Sequence, residues 1–389
     1  MKIPRFLSIH ALPRPLKGIL FVLAVGLLLV ELVCCVFFNA LSERFTFYDL
    51  DSYVINSEQI KGVAKRFDPL LGWSQGYDTP FGERPGSERY PRHLIASFGD
   101  SFTHCDQVQD NQTWQVELEK LVGANVFNFG VGAFGPDQAL LRFRRDYPLV
   151  RTPIVTLGLI TENINRVIGR YRPFYSPKTR IPLPKPRFNY NKNSQELVLV
   201  PSPITHVSQL SKLMNPSYLL KLGNGDWWFE NKRHPTLTFP FSRLLFSRTI
   251  WSDAIASVQG SPPSDLNPRP RDSQWQNEES RTLMFAILQT FHREVLERGA
   301  LPIVLLMPKH YEVNRCVSQQ DNPEVNQILA FCRRSKMLCF DGIAALCSRA
   351  ENLDQVKEFY RGHLSPLGNA EFAHSFYQFL LKKKISTLE

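Results

Sequence analysis

The sequence predicts an α/β fold, a five-stranded parallel sheet with helices on both faces, preceded by one membrane-spanning helix. Three observations predict it. Apolar strand-like runs alternate with amphipathic helix-like segments between residues 92 and 383. Those runs are apolar throughout, the pattern of strands buried on both faces. Gly18 to Phe38 is an apolar run interrupted only by Glu31, and about 20 such residues cross a bilayer. A chain of 389 residues, 43% hydrophobic, is long enough for one large or two ordinary domains with a full core.

Taken in order, residues 1–17 form a basic tail with Lys2, Arg5, Arg14 and Lys17, whereas Glu43, Asp49 and Asp51 follow the apolar run. This bias predicts a cytoplasmic amino terminus, a transmembrane helix at 18–39 and a large domain outside the cytoplasm. A cleaved signal peptide is the alternative, but the run is long for one and Phe38-Asn-Ala40 is a poor cleavage site. A juxtamembrane segment spans 40–91. His93 to Phe98 reads as the first strand, Thr113 to Val122 as a helix and Asn125 to Phe129 as the second strand. Pro136 opens a helix through Tyr147, Pro153 to Gly158 is the third strand, Leu301 to Met307 the fourth and Met337 to Phe340 the fifth. Helices are predicted around Asn277 to Arg298, Pro323 to Arg334 and Pro366 to Leu381.

Residues 166–274 break this rhythm. They are rich in Pro, aromatic and basic residues, with Tyr171-Arg-Pro-Phe-Tyr175, Trp227-Trp-Phe229 and Pro262-Pro263, and carry one helix near Ile204 to Met214. An insertion after a strand's carboxyl end lies beside the crevice of an α/β sheet, so a lid or substrate platform is expected. The plainer alternative is that its aromatics form a small satellite core.

The net charge is +10, with +3 on the first 40 residues and +7 on the remainder. Such a surface suits phospholipid head groups or acidic glycans, and is also common on soluble proteins. With no Arg/Lys-rich helix and no aromatic-spaced motif, it argues against nucleic acid. Cys316, Cys332, Cys339 and Cys347 are an even number near the carboxyl end, compatible with two disulfides in an oxidising compartment or with buried free thiols. They form no CxxC pair, so no zinc site and no cofactor are expected. Cys105 remains over.

The run Ile95 to Thr103 carries the chemistry. Its strand ends in Gly99-Asp100-Ser101, a small hydrogen-bonding turn that points a hydroxyl into the crevice where open α/β sheets bind ligands. Ser101 is the candidate nucleophile, with helix capping as the ordinary alternative. A serine hydroxyl needs a base, and His363, in a loop before the last helix, is suited to be one. Attack on an ester carbonyl creates an oxyanion that needs preorganised donors. The Ser101 N–H, a backbone N–H after the second strand and the Asn163 side chain are the candidates; capping by Asn163 and competition from Asn165 are the alternatives. Asp100 is expected to orient the turn.

Four blocks then resemble, in order and in element, the SGNH/GDSL hydrolase family. Phe98-Gly-Asp-Ser-Phe-Thr103 resembles the first, continued by Asp110-Asn-Gln-Thr-Trp114. Asn128-Phe-Gly-Val-Gly-Ala-Phe-Gly-Pro-Asp-Gln138 resembles the second, Leu157-Gly-Leu-Ile-Thr-Glu-Asn163 the third and Gly362-His-Leu-Ser-Pro-Leu-Gly368 the last. The resemblance implies a flavodoxin-like three-layer α/β/α domain over 92–165 and 275–383, with catalytic Ser101 and His363 and an oxyanion hole from Ser101, Ala133 and Asn163. With the apolar run and its charge bias, it points to a membrane-anchored esterase or acyltransferase acting outside the cytoplasm on an acyl or acetyl ester of a glycan or lipid, without a cofactor. Two positions depart from the pattern. Ala133 stands where the family has Gly, which would permit backbone angles closed to Ala, and Gly130 is its alternative. Tyr360 stands where the family has the acid that orients the histidine; Glu358, Asp354 and Asp341 are the nearby acids. These departures leave open a noncatalytic module that binds polysaccharide or assists a membrane assembly. A thiol chemistry at Cys105 is a third alternative.

Overall fold

The computed structural model describes residues 13–42, 53–86, 90–176, 179–231, 235–247, 250–251, 254–255 and 274–385. Lys2, Arg5, Glu43, Asp49, Asp51 and Pro262-Pro263 lie outside the described residues. Arg14–Ala40 forms one helix, α1, long and apolar enough to cross a membrane.

The five apolar runs become β1 His93–Gly99, β2 Asn125–Gly130, β3 Ile154–Leu159, β4 Leu301–Leu306 and β5 Leu338–Asp341. They pair in parallel in the order β2-β1-β3-β4-β5. Every residue of β2 and β3 is buried, as expected of strands covered on both faces. Between and after the strands run α2 Ser101–His104, α3 Trp114–Val122, α4 Pro136–Val150, α5 Glu278–Glu297, α6 His310–Val317, α7 Pro323–Arg334 and α8 Pro366–Lys382. Right-handed crossovers put helices on opposite faces as the chain reverses along the sheet. On one face, Trp114 of α3 meets Phe372 and Phe376 of α8 at ring-centroid distances of 5.5 and 6.2 Å. On the other, Phe143 of α4 meets Phe291 of α5 at 5.4 Å, and Phe285 of α5 stacks on Phe331 of α7 at 4.0 Å. The direction of winding reverses between β1 and β3. Their carboxyl ends form the switch point where such sheets take ligands, and both predicted site segments, at Ser101 and Asn163, begin there.

Three expectations are corrected. The helix opened by Pro136 runs through Pro148 to Val150, because a proline in the last turn removes only its own N–H bond and the Arg151 N–H still donates to the Tyr147 carbonyl at 3.0 Å. The region 166–274 holds an antiparallel hairpin, Arg187–Asn191 with Glu196–Val200, which its Pro and aromatic content concealed. Tyr171, Phe174, Phe188 and Trp228 of that region join the main core rather than a satellite one. The cysteines pair as Cys316–Cys347 and Cys332–Cys339.

Candidate active site

The turn after β1 is built by close approach. A Cβ on Gly99 would meet Thr103 Oγ1 at 2.1 Å and the Gly158 carbonyl at 2.6 Å, so only glycine lets α2 fold back over the strand ends. Asp100 caps α2 by accepting the Phe102 N–H at 2.9 Å. Gly130 lies beneath the same turn, where a Cβ would come within 2.2 Å of the His104 nitrogen. The loop beyond is tied by Arg84, whose guanidinium donates to the carbonyls of His104, Cys105 and Val108 at 2.5, 2.7 and 2.6 Å and pairs with Asp110 at 2.8 Å. Asn128 adds a donation to the His104 carbonyl at 3.3 Å.

His363 reaches this turn from a tight reversal between Tyr360–Arg361 and His363–Leu364, in which Gly362 takes φ 86°. Its N–H donates to Gln107 Oε1 at 2.6 Å, and its ring packs on Phe102 at 4.7 Å. Nε2 then lies 2.8 Å from Ser101 Oγ. The other ring nitrogen, Nδ1, is buried and has no partner among the described residues. Burial lowers the imidazole pKa below its ordinary value, against the opposing pull of the Asp106 and Asp100 charges.

None of the acids offered by the sequence stands behind that ring. Tyr360, at the family's acid position, donates its hydroxyl to the Pro308 carbonyl at 3.1 Å. Glu358 is exposed, and its carbonyl accepts from Ser365 Oγ at 2.6 Å. Asp354 pairs with Lys357 at 2.8 Å, and Asp341 caps the helix Gly342–Cys347.

Ala133 lines the cleft with φ 68°, the left-handed conformation that a glycine would take there. Neither its N–H nor that of Ser101 finds an acceptor among the described residues. Asn163 is fully buried, donates from Nδ2 to Asp100 Oδ2 at 2.9 Å and accepts the Ile160 N–H at 3.0 Å. Asn165, its competitor in sequence, offers its carbonyl to the Trp228 indole N–H at 2.7 Å. Cys105 is buried, and burial pushes its thiol up to about 12, which leaves it protonated.

The sequence reading missed several groups. Asp106 lines the cleft and binds His104 Nδ1 at 2.5 Å, while His104 Nε2 meets the Tyr77 hydroxyl at 2.7 Å. Burial raises the Asp106 carboxyl, but its bond to His104 and the nearby positive charges hold it below its usual value. A cleft of about 880 Å³ opens over Ser101 and His363; among the described residues Arg66, Arg166, Arg172, Arg180 and Lys309 line it against the carboxylates of Asp106 and Glu162. Arg166 and Lys309 each reach Glu162 at 3.3 Å, and despite burial their charges hold that carboxyl at about 2. Arg172 donates to Thr179 Oγ1 at 2.9 Å and Arg66 to Gln75 Oε1 at 2.8 Å, and neither forms an ion pair among the described residues. Arg172, Tyr175, Ser176, Thr179, Arg180 and Ile181 come from the insertion, so that segment does border the cleft. A run of basic residues just after the third block was the only sequence signal for this wall.

All four blocks therefore meet at the carboxyl edge of a β2-β1-β3-β4-β5 sheet. This is the three-layer arrangement that the resemblance of the blocks to the SGNH/GDSL hydrolases implies. No family model and no curated protein matches the chain. Solved structures are similar at low identity. A member of the lipolytic protein G-D-S-L family from Veillonella parvula is 10% identical, covering 75% of this chain and 99% of its own, with a TM-score of 0.35. A protein from Bacteroides fragilis, assigned as an acylhydrolase, is 13% identical over 81% of this chain and 97% of its own, with a TM-score of 0.36. A mutant acetyl-xylooligosaccharide esterase from Geobacillus is 12% identical over 75% of this chain and 94% of its own, also at 0.36. At these scores the chemistry has to be read from this chain's own residues.

Proposed function

We propose that the chain is a membrane-anchored serine esterase or acyltransferase that acts outside the cytoplasm on an acyl or acetyl ester of a glycan or lipid. One observation carries this reading: Ser101 Oγ and His363 Nε2 stand 2.8 Å apart on the wall of a large cleft. Nε2 accepts the Ser101 proton, so the neutral ring carries its own proton on Nδ1. Burial keeps the imidazole neutral and ready to act as base.

In this mechanism Ser101 Oγ attacks the ester carbonyl while His363 Nε2 takes the hydroxyl proton. The N–H groups of Ser101 and Ala133 stabilise the resulting oxyanion. Asn163 supports the turn through its bond to the Asp100 carboxylate. Collapse of the tetrahedral species returns the proton from His363 to the departing alcohol and leaves an acyl-serine. Water or a sugar hydroxyl, deprotonated by the same imidazole, then attacks the acyl group and frees Ser101. Hydrolysis and transfer differ only in which of these nucleophiles arrives. With Nδ1 unpartnered among the described residues, the transient imidazolium relies on the charges of Asp106 and Asp100 acting through space.

The excess of cations around the cleft supports a substrate with anionic groups near its ester. The two disulfides support a compartment outside the reducing cytoplasm, and the apolar α1 supports anchoring. A fluorophosphonate probe tests the reading on the intact protein. It is expected to label the wild type and to fail on Ser101→Ala, with greatly slowed labelling of His363→Gln. Labelling that is absent, or unchanged in Ser101→Ala, refutes the enzyme. Nδ1, without a partner among the described residues, favours a second reading, a noncatalytic module binding polysaccharide or assisting a membrane assembly, and that reading would then stand.

A further inference from the structure

Glu31 is the one charged residue inside the apolar run, and the proposed chemistry does not use it. In hydrocarbon a carboxylate is costly unless its oxygens find donors, and backbone N–H groups there are equally costly unless they find acceptors. Here the two needs meet. Glu31 Oε2 accepts the Phe241 N–H at 2.6 Å, and Oε1 accepts the Ser242 N–H at 3.1 Å. These are the leading N–H groups of the 3-10 helix Phe241–Phe246, the ones that no intrahelical carbonyl can reach.

The contact continues along one helical face. Cys34 and Phe38, three and seven residues beyond Glu31, are buried against Leu244 and Ile250. Arg243 satisfies the segment's own carbonyls, donating to Thr236, Pro240 and Thr238 at 2.6, 3.0 and 3.2 Å. The two leading N–H groups and three carbonyls of this segment are thereby paired within the protein, and four large apolar side chains lie on its surface beside the exposed Arg243: Phe239, Trp251, Ile255 and Phe246 are 72, 53, 58 and 85% exposed.

At about 1.5 Å per residue, the stretch from Gly18 to Phe38 matches a hydrocarbon core about 30 Å thick. Glu31 then lies roughly 10 Å inside its outer edge. We propose that this part of the insertion is embedded in the outer leaflet beside α1, pinned by Glu31, with Phe239, Phe246, Trp251 and Ile255 against lipid acyl chains. The segment packs on α1, whose outward apolar side chains face lipid, so acyl chains can cover both. The proposal rests on the reading that α1 spans a membrane. The two parts of the insertion then act together, the first bordering the cleft and the later one fixing that cleft at a set height above the bilayer.

The test uses the full chain reconstituted in phosphatidylcholine vesicles with brominated acyl chains. An environment-sensitive fluorophore is attached at Phe246→Cys or, as control, at Ser194→Cys on the exposed hairpin turn, both in a Cys35→Ser background. Bromolipid quenching several-fold stronger at 246 than at 194 is the expected result. Equal quenching at the two sites, including protection of 246 by a second copy or another protein, overturns the proposal. Release of the chain from vesicles by alkaline carbonate would instead overturn the membrane-spanning reading. Glu31→Leu is expected to reduce quenching at 246 with vesicle association intact, and Glu31→Gln, which keeps one acceptor oxygen, to reduce it less. Quenching unchanged in both variants would overturn the pinning role of Glu31.

Discussion

Ser101 Oγ and His363 Nε2 lie 2.8 Å apart although 262 positions separate them in the chain, and the far nitrogen of the same ring is buried without a partner among the described residues. The ring is held instead by its backbone, through Gln107, and by its face, on Phe102. A histidine positioned in this way has a base's geometry without a carboxylate at its back.

The first prediction is a pH profile. Only the neutral imidazole accepts the Ser101 proton, and burial places the His363 pKa below its ordinary value. Serine labelling is therefore expected to fall with pH through a midpoint below the ordinary histidine value of about 6.5. The rate of fluorophosphonate labelling between pH 4.5 and 8 checks this; a midpoint above the ordinary value would contradict it.

A second prediction concerns Asn163. It is fully buried, and its amide secures the Asp100 carboxylate that caps α2. Asn163→Ala removes a donor to a buried charged group, a loss of about 1–3 kcal/mol. A lowered midpoint in urea unfolding is expected, together with slower labelling as the Ser101 turn loosens. If labelling slows about a hundredfold while stability is untouched, Asn163 acts on the oxyanion directly instead.

Ala133 yields a third. Its φ of 68° costs a side-chain-bearing residue about 1–2 kcal/mol, which glycine avoids. Glycine's greater freedom in the unfolded chain returns about 0.5–1 kcal/mol of that gain. Ala133→Gly is thus expected to keep full labelling with stability equal to or slightly above wild type, whereas Ala133→Val, β-branched, loses both. Thermal unfolding of the two variants separates these outcomes.

How much of this was legible in the sequence depended on the range of the interaction. β2 and β3 announced themselves because burial on both faces makes a strand apolar from end to end. Ser101 and His363 were legible because each sits in a block whose residues serve the local turn: Gly99 allows a close approach, Asp100 a cap, and Gly362 a left-handed φ. Asp106 and His104 were not, since their pairing depends on how the loop after α2 is folded, and that is fixed by Arg84 from another segment. The partner of Glu31 was equally hidden, because it lies 210 positions away and offers only backbone N–H groups, which carry no sequence signature.

The last prediction addresses substrate charge. Arg66 borders the cleft and donates to neutral acceptors, the Gln75 side chain at 2.8 Å and the Ser74 carbonyl at 3.4 Å. It forms no ion pair among the described residues and feels the Asp106 carboxylate only through space, so its guanidinium can meet an anion on the substrate, and it touches neither Ser101 nor His363. A charge-assisted bond to such a group is worth about 1.5–3 kcal/mol. Arg66→Gln is thus expected to raise KM at least about tenfold for an ester flanked by a carboxylate or phosphate, with kcat little changed. For a small neutral acetyl ester the same variant should match wild type in both constants. Added salt should weaken the preference for the charged ester more in the wild type than in the variant, because one of the screened cleft cations is then missing. Equal losses on both esters would mean that Arg66 holds the fold of the cleft wall and does not read the substrate.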